Sequence, residues 1–229
     1  MGLHVNRKGA VEKSRESSSK RGLALVSSLV LVGSLGVAGV AWAAVTDNMF
    51  PTANTLGYCY NQSPGVNHFP CQTDNRDVYY YMDSNGECEL ETVDRNNVQS
   101  VMRNEFAPTD LRIYYDSTPV FSGSGETDII YQEGSTGMPS SVDGMTWCND
   151  AVDNKPLACD QQYIRIRGNG SYTYGLTCHE TGHAVGLQHG DVSSPRLSRT
   201  DSRLGCMVTP VGSGAKLGSN NIENINATY

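Results

Sequence analysis

One long apolar run, residues 23–40, stands apart from the alternating polar and apolar pattern of the rest of the chain. Lys20 and Arg21 precede it, and the small-x-small sequence Ala41-Trp42-Ala43 follows it. This arrangement is typical of a signal peptide, so we expect residues 1–43 to be one. The alternative is an uncleaved N-terminal membrane anchor, because residues 23–45 are long enough to span a bilayer. The remaining chain is therefore expected to be secreted, or anchored with its domain outside the cell.

After this run, short apolar segments alternate with polar loops. Residues 44–75 are rich in Asn, Pro and Gly, which predicts an irregular N-terminal segment. Residues 76–229 are expected to form one domain, since the exported part is large enough for one core and requires no second. Runs that contain β-branched or aromatic residues predict four strands, at 78–82, 111–115, 128–132 and 161–167.

Three helices are predicted by apolar residues at helical spacing and by residues that cap helices. Asp94 is expected to cap the first, whose apolar positions recur between Val98 and Phe106. Ser171 is expected to cap the second, and Asn220 the last. The order of strand, helix, several strands, helix, irregular segment and helix predicts a mixed α+β fold rather than a βαβ repeat.

Charge narrows the range of partners. The whole chain carries a formal charge of −7, and residues 1–43 contain six Lys/Arg and two acidic residues, which leaves about −11 on the exported part. An acidic domain is poorly suited to nucleic acid or to an anionic lipid surface, so we expect no nucleic-acid partner. A membrane is a partner only if the N-terminal apolar segment is uncleaved.

All seven cysteines follow the apolar run, which predicts a disulfide framework in an oxidising compartment. Short loops favour two of the pairings, Cys59 with Cys71 and Cys148 with Cys159, and the odd number leaves one cysteine over. A zinc ribbon is the competing interpretation. No C-x-x-C occurs in the chain, which argues against it.

The stretch CHETGHAVGLQHGD, residues 178–191, contains three of the five histidines of the chain. On a helix His179 and His183 share one face, so both imidazoles can point at one ion, with Glu180 beside them. Gly186 is a position where the helix can end and turn back, which would bring His189 to the same ion. The competing interpretation is an ordinary helix that is rich in histidine.

If the stretch is a metal site, its donor set indicates a catalytic rather than a structural site. Three neutral imidazoles leave a fourth position for water, as in catalytic zinc sites, and Glu180 is placed to act as general base on that water. Asp191, two residues after His189, is an alternative third ligand. His189 is preferred because it has the expected spacing.

The pattern His179-Glu180-x-x-His183-x-x-Gly186-x-x-His189 resembles the signature of the metzincin zinc metallopeptidases at every fixed position. Met207, in LGCMVTP, resembles the methionine turn of that family, and the last helix is similar to that of secreted matrixin-like members. The resemblance covers roughly residues 110–229 and includes the order of elements, with the edge-like segment TDIIYQE before the active-site helix.

The resemblance implies a metzincin-like catalytic domain with a twisted mixed sheet, an active-site helix and a small C-terminal subdomain. It implies a monomeric endopeptidase that binds one zinc ion and hydrolyses protein or peptide substrates. It also brings Cys178 and Cys206 together near the metal, which predicts a third disulfide and leaves Cys88 unpaired. The alternative is an exported zinc-containing binding protein that keeps the fold without activity.

Two further expectations concern latency and other ions. The Pro-Arg-Cys-Gly segment that keeps matrixins latent does not occur in residues 44–110. Acidic loops offer possible Ca²⁺ ligands but lack regular ligand spacing, so a solvated acidic surface is the preferred interpretation; they lie around Asp143, Asp150, Asp153 and Asp160. By the family resemblance, residues 208–214 form the substrate pocket, and their small side chains predict an open pocket without a charge at its base.

Overall fold

The structure is a computed structural model, and it describes residues 46–65, 70–123 and 125–229. The predicted signal peptide or anchor, residues 1–43, lies outside the described residues. Within the described ranges, no helix has both the length and the apolar character needed to cross a membrane.

The described residues form six strands and three α-helices. The strands are β1 (Gln72–Thr73), β2 (Asp77–Met82), β3 (Arg112–Tyr115), β4 (Ile129–Glu133), β5 (Gly144–Ala151) and β6 (Ala158–Ile166). The helices are α1 (Thr92–Val101), α2 (Tyr174–Ala184) and α3 (Ser219–Thr228). A π-helical turn, Met102–Phe106, continues α1.

The six strands form one mixed sheet. Strands β3, β2, β4 and β6 run parallel in that order, and the short β1 pairs with the beginning of β6, also in parallel. Strand β5 pairs with β6 in the antiparallel direction, with Gly144 opposite Ile166 and Trp147 opposite Tyr163. The mixed α+β architecture predicted from the order of elements is confirmed.

Two details of the sheet differ from expectation. The segment TDIIYQE was expected at an edge, but its strand β4 pairs with β2 on one side and β6 on the other. The edge strands are β3 and β5, and the apolar pattern did not predict β5. Strand β5 contains Gly144, Asn149 and Asp150, residue types depleted in strands, and its pairing is shifted after Cys148.

All three helices begin at residues other than the predicted caps. Helix α1 follows Glu91, and Asp94 lies buried in its first turn. Thr173 caps α2 by accepting a hydrogen bond from the backbone N–H of Leu176. Helix α3 follows Gly218, and Asn220 instead accepts a hydrogen bond from the backbone N–H of Thr46, at 2.6 Å. Caps are short-range signals, and in α2 the side chain of Thr173, two residues from Ser171, takes the role. Helices α1 and α3 begin without a side-chain cap.

The main core joins one face of the sheet to the helices. Alternate residues of β2 and β4, such as Val78 and Ile129, are fully buried in the same apolar cluster as Val98 of α1 and Ala184 of α2. Because side chains alternate between the two faces of a strand, this pattern places the core on a single face. Helix α2 is thereby held firmly against the sheet.

Three disulfides reinforce the domain. The structure joins Cys59 to Cys71 and Cys148 to Cys159, as the short loops favour, and Cys178 to Cys206, as the family resemblance implies. Cys88 is the free cysteine of the described residues. Three disulfides in one domain of this size indicate an oxidising environment.

Candidate metal centre

Two histidines project from the same side of α2, one turn apart. The Nδ1 atom of His179 lies 2.7 Å from the backbone oxygen of Cys206, and that of His183 lies 2.8 Å from the backbone oxygen of Leu187. A carbonyl oxygen can only accept, so each Nδ1 donates its N–H. The other ring nitrogen, Nε2, is then the unprotonated one in both imidazoles.

His189 reaches the same point from beyond the end of the helix. The chain turns at Gly186, whose φ of +97° suits glycine, and an added Cβ there would lie 2.8 Å from the sulfur of Met49. After this turn, the Nε2 atom of His189 lies 3.2 Å from that of His183 and 3.1 Å from that of His179. The third side of the triangle, from His183 to His179, is 3.2 Å.

The electrostatics of this triangle favour a cation. The unprotonated Nε2 atoms of His179 and His183 face each other, so their lone pairs repel unless a positive charge lies between them. Burial, followed by the neighbouring charge of His189, lowers the pKa of His179 to about 4. Burial and the positive charge of Arg199 lower the pKa of His189. Both rings therefore favour the neutral form that binds metal, and the group could hold a metal ion.

Glu180 lies beside the triangle, and only 4% of its surface is exposed. The hydroxyl of Thr146, on β5, lies 2.8 Å from the carboxylate oxygen Oε2 of Glu180, to which it donates a hydrogen bond. Gly144 of the same strand touches this side chain so closely that an added Cβ would lie 2.4 Å from Oε1. Burial raises the pKa of Glu180 to about 7, although the Thr146 hydrogen bond opposes the shift.

Met207 is fully buried beneath α2. An added Cβ on Gly182 of that helix would lie 2.3 Å from the sulfur of Met207, so the missing side chain makes room for the methionine. The preceding residue, Cys206, is attached to α2 twice, through the disulfide with Cys178 and through the hydrogen bond with His179. The segment predicted to be a methionine turn therefore lies against the helix that carries two of the histidines.

Asp191, the alternative third ligand, is not part of the triangle. Its Oδ2 accepts a hydrogen bond from the guanidinium of Arg199 at 2.8 Å, and this bond is the main cause of its lowered pKa. The acidic loops proposed as weak Ca²⁺ candidates form no group of three close ligand atoms within the described ranges. The other close group, the sulfurs of Cys59, Cys71 and Cys148, is occupied by disulfide bonds.

A cleft of about 950 Å³ opens over the three histidines and Glu180. Residues 142–146 form one wall, and Thr209, Pro210 and Val211 form part of another, so the expected small, uncharged segment after Met207 lines the cleft. The sequence pattern did not indicate that Gly144, Thr146 or Arg199 belongs to the site. Gly144 and Thr146 belong to the unpredicted strand β5, and the sequence around Arg199 has no periodic pattern.

A comparison of the chain with protein-family models gives no match, and neither does a comparison with curated proteins. The site therefore rests on its geometry. Its defined features are three converging imidazoles, a buried carboxyl group beside them, and a cleft that gives access to both.

Proposed function

We propose that this chain is a secreted zinc-dependent endopeptidase of the metzincin type, closest to the matrixin-like members. The observation that carries the proposal is the Nε2 triangle of His179, His183 and His189 with the carboxyl of Glu180 in the same cleft. The motif spacing, the position of Met207 under α2 and the disulfides all support it.

Zinc is the metal that this donor set suits best. Imidazole nitrogens lie about 2.0–2.1 Å from zinc, so two of them in a tetrahedral site are roughly 3.3 Å apart. The observed separations of 3.1–3.2 Å are close to that value. Three histidines without a fourth protein ligand are typical of catalytic rather than structural zinc, because one position stays open to water or substrate.

Glu180 transfers the proton in this reaction, and its neighbours hold it in position. Bound zinc would polarise the peptide carbonyl and make an attacking water more acidic. The carboxylate of Glu180 takes the proton from this water and delivers it to the leaving amine. Thr146 holds one carboxylate oxygen, and the close contact with Gly144 restricts where the other can move.

Strand β5 is suited to holding an extended substrate. Within the described chain it pairs with β6 alone, and its first residues, Gly144, Met145 and Thr146, line the cleft. An unpaired strand edge offers backbone N–H and C=O groups, so a peptide lying along it would gain regular hydrogen bonds. Such binding recognises backbone, which suits an enzyme acting on unfolded protein.

Beneath the site, Cys206 and Met207 would serve as the methionine turn and C-terminal support of the metzincin fold. The carbonyl of Cys206 fixes the ring orientation of His179, and a ligand held in this way loses less freedom when metal binds. The Cys178–Cys206 disulfide fixes both segments together. The positions of Cys206 and Met207, and their contacts with α2, support the assignment of residues 76–229 as the catalytic domain.

The test is hydrolysis of a denatured protein by the purified exported part of the chain. Cleavage should stop when a chelator removes the metal and return when zinc is restored. The His183→Ala variant, prepared in the same way, controls for a contaminating peptidase and should stay inactive after zinc is added. Zinc binding without any hydrolysis would contradict the peptidase proposal and support an exported zinc-binding protein.

A further inference from the structure

The cleft has an uneven distribution of charge. On the side of His189 it is lined by Gln188, Asp191, Val192 and Arg199. Arg199 is the one Lys or Arg among the described residues that line the cleft, and its side chain is 54% exposed. The acidic residues that line the cleft are Asp143, Glu180 and Asp191.

The position of Arg199 is fixed at both ends. Its backbone oxygen accepts a hydrogen bond from the N–H of Thr209 at 2.8 Å, which ties it to the segment after Met207. Its guanidinium donates one hydrogen bond, to Oδ2 of Asp191 at 2.8 Å. A guanidinium has five N–H donors, so the remaining ones are available to a ligand in the cleft.

Arg199 also lies near the candidate metal centre, because it lines the same cleft as the three histidines and is hydrogen-bonded to Asp191, two residues after His189. A ligand group bound by Arg199 would therefore lie in the same cleft as the scissile bond. The planar fork of a guanidinium matches a carboxylate, to which it can donate two parallel hydrogen bonds. A neutral group cannot form this charge-assisted pair of hydrogen bonds with a guanidinium.

We infer that Arg199 is a specificity-determining residue that binds a substrate carboxylate on the His189 side of the cleft. The inference rests on the proposed peptidase function. The carboxylate is either the side chain of an Asp or Glu residue or the C-terminal carboxylate of a short peptide. The hydrogen bond to Asp191 holds one side of the guanidinium and leaves other N–H groups for this carboxylate.

The experiment compares kcat/KM for pairs of peptides that differ by Glu or Gln at one position, moved along the sequence on both sides of the cleaved bond. Each pair is made with a free and with an amidated C-terminus. At one position near the cleaved bond, we expect Glu to be preferred over Gln by about tenfold in low salt, as for a partly exposed charge-assisted contact. A preference that follows the free terminus identifies a terminal carboxylate instead.

Two variants and one control assign the effect to Arg199. Arg199→Gln should reduce the Glu/Gln ratio to about one, and Arg199→Lys should leave an intermediate ratio, because it keeps the charge without the fork. Arg203→Gln is the matched control, since Arg203 forms a similar exposed pair with Asp201 at 2.7 Å but does not line the cleft. The control should keep the preference of the unmodified chain.

Three outcomes would overturn the inference. Equal hydrolysis of the Glu and Gln peptides by the unmodified chain would reject it and leave the peptidase proposal intact. A full preference in Arg199→Gln would assign the recognition to another residue. Failure to hydrolyse any peptide would reject the peptidase proposal, and the inference with it.

Discussion

Glu180 and Asp128 are two buried carboxyl groups in similar local settings. Each has 4% of its surface exposed, and burial raises the pKa of each to about 7. Hydrogen bonds oppose this shift in both groups. Glu180 accepts one from the hydroxyl of Thr146, and Asp128 accepts one from the backbone N–H of Tyr79 at 2.7 Å and one from its own backbone. By burial and pKa alone, the two groups would be equal candidates for catalysis.

Their surroundings separate them. Glu180 lines the cleft beside three imidazoles whose Nε2 atoms converge, and Gly144 leaves space for its side chain. Asp128 immediately precedes β4 and ties the backbone of β2 to it, and it does not line the cleft. A raised pKa therefore reports burial, whereas neighbouring ligands and access to a cleft indicate chemistry.

The largest loss of turnover is expected from Glu180→Gln. The amide keeps the shape of the side chain but cannot accept the proton, so turnover should fall by about a hundredfold or more. Zinc content should stay close to that of the unmodified chain, because Glu180 is not a ligand in this account. Steady-state hydrolysis together with metal analysis checks this, and turnover near the normal rate would place the general base elsewhere.

A smaller loss of turnover is expected from Gly144→Ala. The new Cβ would lie 2.4 Å from Oε1 of Glu180 and must displace that carboxylate. We expect kcat to fall roughly tenfold, since small displacements of a catalytic group cost about one to two orders of magnitude. Zinc content should not change.

The control introduces Gly144→Ala into the Glu180→Gln variant, in which the displaced side chain no longer acts as a base. Its kcat should match that of Glu180→Gln alone. A further tenfold loss there would show that the effect does not come from the contact between Gly144 and Glu180.

The smallest effect on turnover is expected from Asp128→Asn, which should act on stability instead. The pKa of an unfolded Asp is about 3.9, and in the folded chain that of Asp128 is about 7. The folded state therefore binds more protons between these values, and its stability falls as the pH rises through this window. Removing the charge should raise the free energy of unfolding at pH 8 by roughly 1 to 3 kcal/mol and have little effect at pH 4.

Urea unfolding of the two proteins at pH 4, 6 and 8 measures this difference. Asp77→Asn is the matched control, since Asp77 forms a surface pair with Arg112 at 3.4 Å, and pairs of this kind contribute little to stability. A constant difference between Asp128→Asn and the unmodified chain at all three pH values would show that the carboxyl titrates normally.

The sequence predicted the histidine cluster because its geometry is local. The helical period aligns His179 with His183, and a single glycine turn at Gly186 returns the chain to the same point. The mixed α+β order followed from the same kind of local pattern. The two short-loop disulfides could also be predicted, since the paired cysteines are only eleven or twelve positions apart.

The contacts that complete the site could not be predicted from local sequence patterns. Thr146 lies thirty-four positions before Glu180, on a strand whose composition is unfavourable for strands. Arg199 reaches the cleft through an irregular segment held by Thr209 and Asp191. Such contacts depend on tertiary packing, for which an apolar pattern in one sequence carries no signal.

Metal binding distinguishes a zinc site from a helix that is merely rich in histidine. The purified exported part of the chain, freed of metal, is titrated with zinc in competition with a chromophoric chelator. We expect one tight site per chain in the unmodified protein and in Glu180→Gln, and loss of this site in His183→Ala. Absence of a tight site in the unmodified chain, or an equally tight site in His183→Ala, would contradict it.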